Sequence, residues 1–141
     1  MIIRIAKNQK EIFSLLKLRR LVFINQQKVD VNIEQDDDDI EAIHFIVLDQ
    51  DKIIGTCRLV INQEKAKLGR MVVSEEYRHR NIGSSLLKFC EDYALENNIE
   101  KIIVAAQLEA LDFYLKNGYL VNSQVFYEAN IAHRMVEKFL K

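Results

Sequence analysis

The sequence has no proline, only four glycines and only two cysteines in 141 residues. Average usage would give about seven prolines and about ten glycines in a chain of this length. Residues that interrupt regular backbone structure are therefore scarce, and we expect the turns to depend on Asn, Asp and Gln. The low glycine and proline content also excludes a collagen-like repeat.

The two cysteines, Cys57 and Cys90, lie in apolar periodic segments and form neither a CxxC motif nor a Cys/His spacing. This pattern argues against a disulfide framework and against a zinc site, so no metal is expected. We predict that both are buried free thiols of a protein in a reducing compartment.

The charges are balanced, with 20 basic and 21 acidic residues, and 49% of the residues are hydrophobic. This composition excludes disorder and a general polyanion binder, so no nucleic-acid partner is expected. No apolar run approaches the roughly 18 residues of a membrane span, and the N-terminus lacks the regions of a signal peptide. We expect one cytoplasmic domain over residues 1–141, with no membrane partner.

Apolar periodicity predicts alternating strands and helices. The predicted strands cover residues 2–6, 44–49, 53–62, 66–73, 101–106, 119–127 and 133–139. Helices are predicted after the N-cap signal Asn8 and Glu11, from Gly83 to residue 97, and from Ala110 to Gly118. The three short-linked strands between residues 44 and 73 are typical of an antiparallel meander. The order indicates an α+β fold, a mixed α/β sandwich with a mostly antiparallel sheet.

Charge is unevenly distributed near the N-terminus. Seven basic residues and one acidic residue lie between positions 1 and 29, whereas six of the eight residues from 34 to 41 are acidic. Mutual repulsion disfavours regular structure in such a run, so we predict a solvated loop there. Its field could attract a cationic amine, and the alternative is a loop with no role in binding.

The segment before the second long helix combines features of an anion site. Arg78 and Arg80 flank His79, and the helix is predicted to begin at Gly83, which Ser84 follows. A helix N-terminus presents unpaired N–H groups and a positive dipole end, so phosphate is the natural ligand. The alternative is a solvated turn with a glycine that serves only packing. A single glycine does not match the dinucleotide fingerprint or the Walker motif.

This segment resembles the central motif of the GNAT N-acetyltransferases, (Arg/Gln)-x-x-Gly-x-(Gly/Ala), which here is Arg78-His79-Arg80-Asn81-Ile82-Gly83. The preceding RMVVSEEYR is typical of that family. Residues 110–119, ALDFYLKNGY, resemble its A-x-x-FYxxxGF segment, and RRLVFINQQ and FYEANIAHRMVEK resemble its ElaA-like branch. The likeness extends over nearly the whole chain and implies the GNAT acyl-CoA N-acyltransferase fold, with a sheet splayed between strands 4 and 5.

The resemblance implies acetyl-CoA as co-substrate and an amine as acceptor, with no metal. The pyrophosphate would lie on backbone amides of residues 80–84, and the pantetheine arm would pair with residues 71–73. The implied cofactor-binding residues are Met71, Val72, Val73, Arg78, His79, Arg80, Asn81, Ile82, Gly83 and Ser84. Asn81 stands where the motif has its first glycine, and Asn tolerates positive φ better than other non-glycine residues. The oligomeric state stays open, with a homodimer among the alternatives.

The implied reaction is direct attack of a primary amine on the thioester in a ternary complex. At pH 7 an alkylamine with a pKa of about 10.4 is neutral about once in 2,500 molecules, which costs about 4.6 kcal/mol. Tyr114 matches the family tyrosine near the sulfur and is the candidate general acid, with core packing as its alternative role. A backbone N–H near Val72 would bind the oxyanion. Candidates for the base are His44, His133, Glu34, Glu128 and a water relay.

Two other functions stay open from the sequence. A non-catalytic acyl-CoA sensor of the same fold would share the pocket, and Asn81 is the feature that favours it. A nucleic-acid or phosphoprotein module would use the basic N-terminal helix with Arg78 and Arg80. The net charge of −1 and the acidic run argue against the second of these.

Overall fold

One eight-stranded sheet forms the centre of the computed structural model, which describes residues 1–141. The strands are β1 (Ile2–Ile5), β2 (Ile43–Asp49), β3 (Lys52–Asn62), β4 (Lys65–Val73), β5 (Lys101–Gln107), β6 (Leu120–Val121), β7 (Phe126–Glu128) and β8 (Ile131–Phe139). Their order is β1-β2-β3-β4-β5-β8-β6, and β7 also pairs with β8. Only β4 and β5 are parallel. The predicted antiparallel meander and the mixed α+β class are confirmed.

The helices are α1 (Gln9–Arg19), α2 (Val31–Glu34), α3 (Asp38–Glu41), α4 (Ile82–Glu96) and α5 (Leu111–Lys116). As predicted, Asn8 caps α1, because its side chain accepts a 2.9 Å hydrogen bond from the Glu11 N–H. The chain continues from α1 directly into a π-helical segment, Arg20–Gln26. Apolar spacing alone did not distinguish that segment from the α-helix before it.

Both faces of the sheet are covered. The apolar stripe of α4 packs with Phe45, Leu59 and Val104 in the main core, and Leu15 of α1 packs on Ile46 in a smaller cluster. Because both faces are covered, consecutive residues of β2 and of the middle of β3 are buried, rather than every second residue. Cys57 and Cys90 lie in the main core as buried free thiols, as predicted, with their sulfur atoms 3.2 Å apart.

The parallel pair β4 and β5 separates partway along its length. Residues 65–68 pair with residues 101–104, and no pairing continues beyond Leu68 and Val104. On its other side β4 contains a bulge, since Arg58 pairs with Gly69 whereas Thr56 pairs with Val72. The expected splay between strands 4 and 5 is therefore present, and it opens a cleft into the sheet.

The structures predicted for two segments were wrong. Residues 119–127 do not form one strand, because β6 and β7 are short and a loop separates them. Residues 34–41 are not a solvated loop, because they include the end of α2 and all of α3. The prediction that turns depend on Asn, Asp and Gln was confirmed at Gln50, Gln63 and Asn98, which have the positive φ that glycine usually provides.

After α5 the chain turns at Gly118, whose φ of 92° suits the predicted helix C-terminus. None of the helices combines the length and the apolar character that crossing a bilayer requires.

Candidate active site

A cleft of about 1370 Å³ occupies the gap between the diverging ends of β4 and β5. Its wall includes nine of the ten predicted cofactor residues, namely Met71, Val72, Val73, Arg78, His79, Asn81, Ile82, Gly83 and Ser84. Arg80 does not line the cleft. Its guanidinium lies 5.3 Å from the centroid of the Tyr77 ring. The splay therefore brings the predicted strand edge and the predicted anion loop to one opening.

The loop that leads into α4 has unpaired backbone donors. None of the six consecutive N–H groups of residues 79–84 donates a hydrogen bond to another protein atom, and no side chain caps the helix. The first intrahelical bond comes only at Ser85, whose N–H donates to the Asn81 carbonyl at 3.1 Å. Unpaired amides at the positive end of a 15-residue helix are the arrangement that binds phosphate.

Backbone conformation explains how these amides converge. His79 and Asn81 have φ values of 64° and 61°, so left-handed residues alternate along the loop. Such alternation turns successive N–H groups toward one side and forms an anion-binding concavity. Asn81 adopts the left-handed conformation that its place in the motif requires.

Side chains around the loop fix its position. The Arg78 Nε donates a 3.0 Å hydrogen bond to the Val73 carbonyl and so ties the loop to the end of β4. A Cβ on Gly83 would lie 3.3 Å from the Phe113 ring, so glycine permits close packing of α4 on α5. Lys116 also lines the cleft, so it and Arg78 each contribute a positive charge to the cleft wall.

Tyr114 packs in the core and also lines the cleft. Its ring is 5% exposed and packs edge-to-face on Phe113 and Tyr119, with centroids 5.0 and 5.6 Å apart. The residue also lines the cleft, and its hydroxyl is neither hydrogen-bonded nor sealed from solvent. Burial raises the pKa of Tyr114, with a smaller contribution from the nearby thiols Cys57 and Cys90, so the hydroxyl stays protonated. A residue of the cleft wall therefore carries a protonated hydroxyl that the fold does not use.

The acidic run folds into an ion-pair cluster. Arg19 donates to one Glu34 oxygen and to Asp39, both at 2.8 Å, and Arg58 donates to Asp36 at 2.6 Å and to Asp39 at 2.9 Å. Arg19 and Glu34 are each 1% exposed. The prediction of a solvated run failed because repulsion between the carboxylates is offset by arginines brought in from α1 and β3.

The arginines keep these carboxylates ionised. Hydrogen bonds from Arg58 lower the pKa of Asp36. Burial alone would raise the pKa of Asp39, but hydrogen bonds from Arg19 and Arg58 lower it below its usual value. Asp37 and Glu41 have no such partner, nor does Asp38, which lines the cleft. Any attraction of a cationic amine by this run therefore acts chiefly through Asp38.

Arg70 links the cluster to the cleft. It lies in the bulge of β4 with a φ of 53°, and its guanidinium donates to the carbonyls of Ile33 and Glu34 at 3.1 Å.

The sequence alone did not identify Arg19 and Arg58 as partners of the acidic run. Two features of the sequence could have indicated these partners: Arg58 is a charged residue within a mostly apolar strand, and basic residues are in excess before residue 29.

The four candidate bases lie in different surroundings. His133, Glu34 and Glu128 line the cleft, and His44 does not. The His44 Nε2 is 2.9 Å from the Asp39 carbonyl, within the ion-pair cluster. One Glu34 oxygen is held by Arg19, and the other is buried without a partner.

Comparisons with known proteins agree with this geometry. Residues 10–119 match the model of the acetyltransferase (GNAT) family. The chain is 32% identical over 135 residues to the uncharacterized N-acetyltransferase YjcF of Bacillus subtilis (strain 168), covering 95% of this chain and 96% of that protein. The crystal structure of Escherichia coli ElaA superimposes with a TM-score of 0.89 at 21% identity, covering 98% of this chain and 99% of that one.

A second solved structure contains a ligand. It is an aminoglycoside 6'-N-acetyltransferase complexed with coenzyme A, with a TM-score of 0.78 at 17% identity, covering 100% of this chain and 98% of that chain. At this level of identity the likeness establishes the shared fold.

Proposed function

Because this chain belongs to the acetyltransferase (GNAT) family, we propose that it transfers an acetyl group from acetyl-CoA to a primary amine by direct attack in a ternary complex. The observation that carries the proposal is the row of six unpaired N–H groups, residues 79–84, beside a cleft that Tyr114 also lines. Unpaired donors at a helix N-terminus fit a pyrophosphate, and a protonated tyrosine fits a thiolate leaving group.

The cofactor residues divide between two parts of acetyl-CoA. The loop amides and the positive end of α4 would hold the pyrophosphate, and Arg78 adds a positive charge beside it. Residues 71–73 of β4 have no strand partner on the side of β5, so this edge can pair with the amide groups of the pantetheine arm. The cofactor brings the activated thioester, and the protein positions it.

Two groups of the protein and a base would act on the reaction. A backbone N–H near Val72 would stabilise the oxyanion as the amine nitrogen bonds to the carbonyl carbon. The Tyr114 hydroxyl would donate its proton to the sulfur as the C–S bond breaks, and solvent would return a proton to the tyrosine. The amine must lose its own proton to a base before or during the attack.

The experiment is a CoA-thiol release assay with acetyl-CoA and a panel of spermidine, glucosamine, a peptide with a free N-terminal amine and a lysine peptide. Thermal-shift measurements with CoA report cofactor binding separately. We expect a CoA-dependent rise in melting temperature and amine-dependent release. Binding without release from any amine would instead favour the acyl-CoA sensor, and the absence of both would contradict the proposal.

A further inference from the structure

His133 has a defined hydrogen-bonding state in the cleft wall. It is 7% exposed, lines the cleft, and its Nδ1 lies 2.6 Å from the Ile131 carbonyl oxygen. A carbonyl oxygen can only accept, so in the neutral ring Nδ1 carries the hydrogen and Nε2 carries the lone pair. The Nε2 atom has no hydrogen-bond partner and is not sealed from solvent. A proton acceptor is therefore available in the cleft.

The sheet register places His133 on the face opposite the core that contains Tyr114. His133 pairs with Gln107, so both side chains lie on one face of the sheet. The Gln107 amide donates at 2.9 Å to Gln27, the residue that follows the π-helical segment, which identifies that face as the one α1 covers. Tyr114 packs in the core on the α4 side with Val104. Tyr114 and His133 therefore lie on opposite faces of the sheet.

The His133 ring is also held in place. Phe126 pairs with His133 across β7 and β8, and the two rings stack at 24° with centroids 5.7 Å apart. The stack and the bond to the Ile131 carbonyl together fix both the tautomer and the orientation of the ring, as a general base requires.

The other candidate bases do not combine a place in the cleft wall, a free acceptor atom and a fixed orientation. His44 is equally buried, but it lies outside the cleft with its Nε2 beside the Asp39 carbonyl. Glu34 has one oxygen held by Arg19 and the other sealed from solvent. Glu128 is exposed and no hydrogen bond fixes its carboxylate.

We propose that His133 is the general base of this enzyme, an assignment that rests on the proposed acetyl transfer. Its Nε2 takes a proton from the acceptor nitrogen as the N–C bond forms. The C–S bond then breaks, and Tyr114 donates a proton to the sulfur. The proton on His133 passes to solvent and Tyr114 regains one, so the net reaction converts amine and thioester to amide and thiol.

The test compares His133→Gln with His44→Gln, a matched variant at an equally buried histidine outside the cleft. The probe is acetyl-CoA with the panel amine that gives the fastest release, and rates are expressed per folded protein. We expect His133→Gln to lower kcat by about 100-fold and to leave the acetyl-CoA dissociation constant within about twofold. His44→Gln should retain kcat, even if its melting temperature falls.

Ring ¹⁵N NMR of the resting protein provides a second readout, which needs no turnover. An Nδ1-protonated neutral ring at His133 supports the assignment, and an Nε2-protonated ring overturns it. Wild-type kcat in His133→Gln would also overturn it while leaving the proposed function intact. A wild-type protein that releases no CoA with any amine would overturn the proposed function, and the assignment with it.

Discussion

Two polar segments line the same cleft, but they differ in how many of their hydrogen-bonding groups have a partner within the protein. In residues 79–84 no backbone N–H is used by the protein. In residues 34–41 the carboxylates of Glu34, Asp36 and Asp39 are bound by arginines. The segment with the higher charge density is therefore part of the scaffold, and the segment with unused donors is the one available to a ligand.

The contrast follows from the free-energy cost of leaving each kind of group without a partner in the protein. A buried carboxylate without a counter-ion is very costly, so a dense acidic run near the protein interior has to recruit cations. Backbone amides at an exposed helix N-terminus can be hydrated at little cost, and they exchange water for phosphate oxygens when an anion arrives. Unused donors of this kind are better evidence of a ligand than charge alone.

The largest effect is expected in the ion-pair cluster. Arg19→Met should lower the free energy of unfolding by about 3–5 kcal/mol, because the buried Glu34 would lose the arginine that is hydrogen-bonded to it and Asp39 would keep only Arg58. Urea unfolding measures the change. Arg20→Met is the matched control, because Arg20 is the adjacent exposed residue with no ion pair, and it should change stability by less than about 0.5 kcal/mol. Equal effects of the two variants would contradict the scaffold role.

The next effect concerns Tyr114, whose hydroxyl is unused by the fold. Tyr114→Phe should lower kcat by about 100-fold, equivalent to about 2.7 kcal/mol, with unchanged CoA affinity, because only the proton donor is removed. Steady-state CoA release and a CoA titration measure the two quantities.

Tyr119→Phe is the matched control for this prediction. The Tyr119 hydroxyl is used by the fold, because it donates to Glu91 at 2.9 Å. Its loss should lower stability by about 1–3 kcal/mol and leave kcat unchanged. Full turnover in Tyr114→Phe would remove Tyr114 from the mechanism.

A smaller effect is expected at the third helical position of α4. A carboxylate in Ser84→Glu would interact favourably with the helix dipole, so the melting temperature should rise. The same carboxylate would repel the phosphates and weaken CoA binding by about tenfold, or about 1.4 kcal/mol. Thermal shift and calorimetric titration separate the two effects. Ser84→Gln controls for size, and weaker binding in both variants would indicate a steric effect rather than repulsion.

The smallest effect is expected at Asn81. Because Asn81 already has the left-handed conformation, Asn81→Gly should change the CoA dissociation constant by less than about threefold. Calorimetric titration measures it. A gain in affinity of about tenfold or more would indicate instead that the Asn81 side chain crowds the phosphate.

Local patterns in the sequence predicted much of the fold. The N-cap at Asn8, the meander and the left-handed turn at Gly118 each depend on residues close together in the chain. Residues 79–84 could be proposed as an anion site from the sequence because the motif is also local. That its amides are unpaired is a property of the folded backbone.

Contacts between distant residues could not be predicted in the same way. Arg19 and Arg58 are 20 and 19 residues from Asp39 in the chain, and only the folded structure brings them together. The prediction for the acidic run therefore considered the repulsion between its carboxylates without these arginines. The choice among the candidate bases likewise depends on where β8 lies relative to β5, and on which ring nitrogen of His133 meets the Ile131 carbonyl. Neither relation has a local signal.

Backbone amide hydrogen exchange, resolved by NMR, tests the central claim that residues 79–84 form the phosphate site. In the free protein these six amides should exchange without protection, because none is hydrogen-bonded to the protein. Saturating CoA should slow their exchange and leave residues 34–41 unchanged. Exchange at residues 79–84 that CoA does not alter, in a protein that binds CoA by calorimetry, would contradict the account.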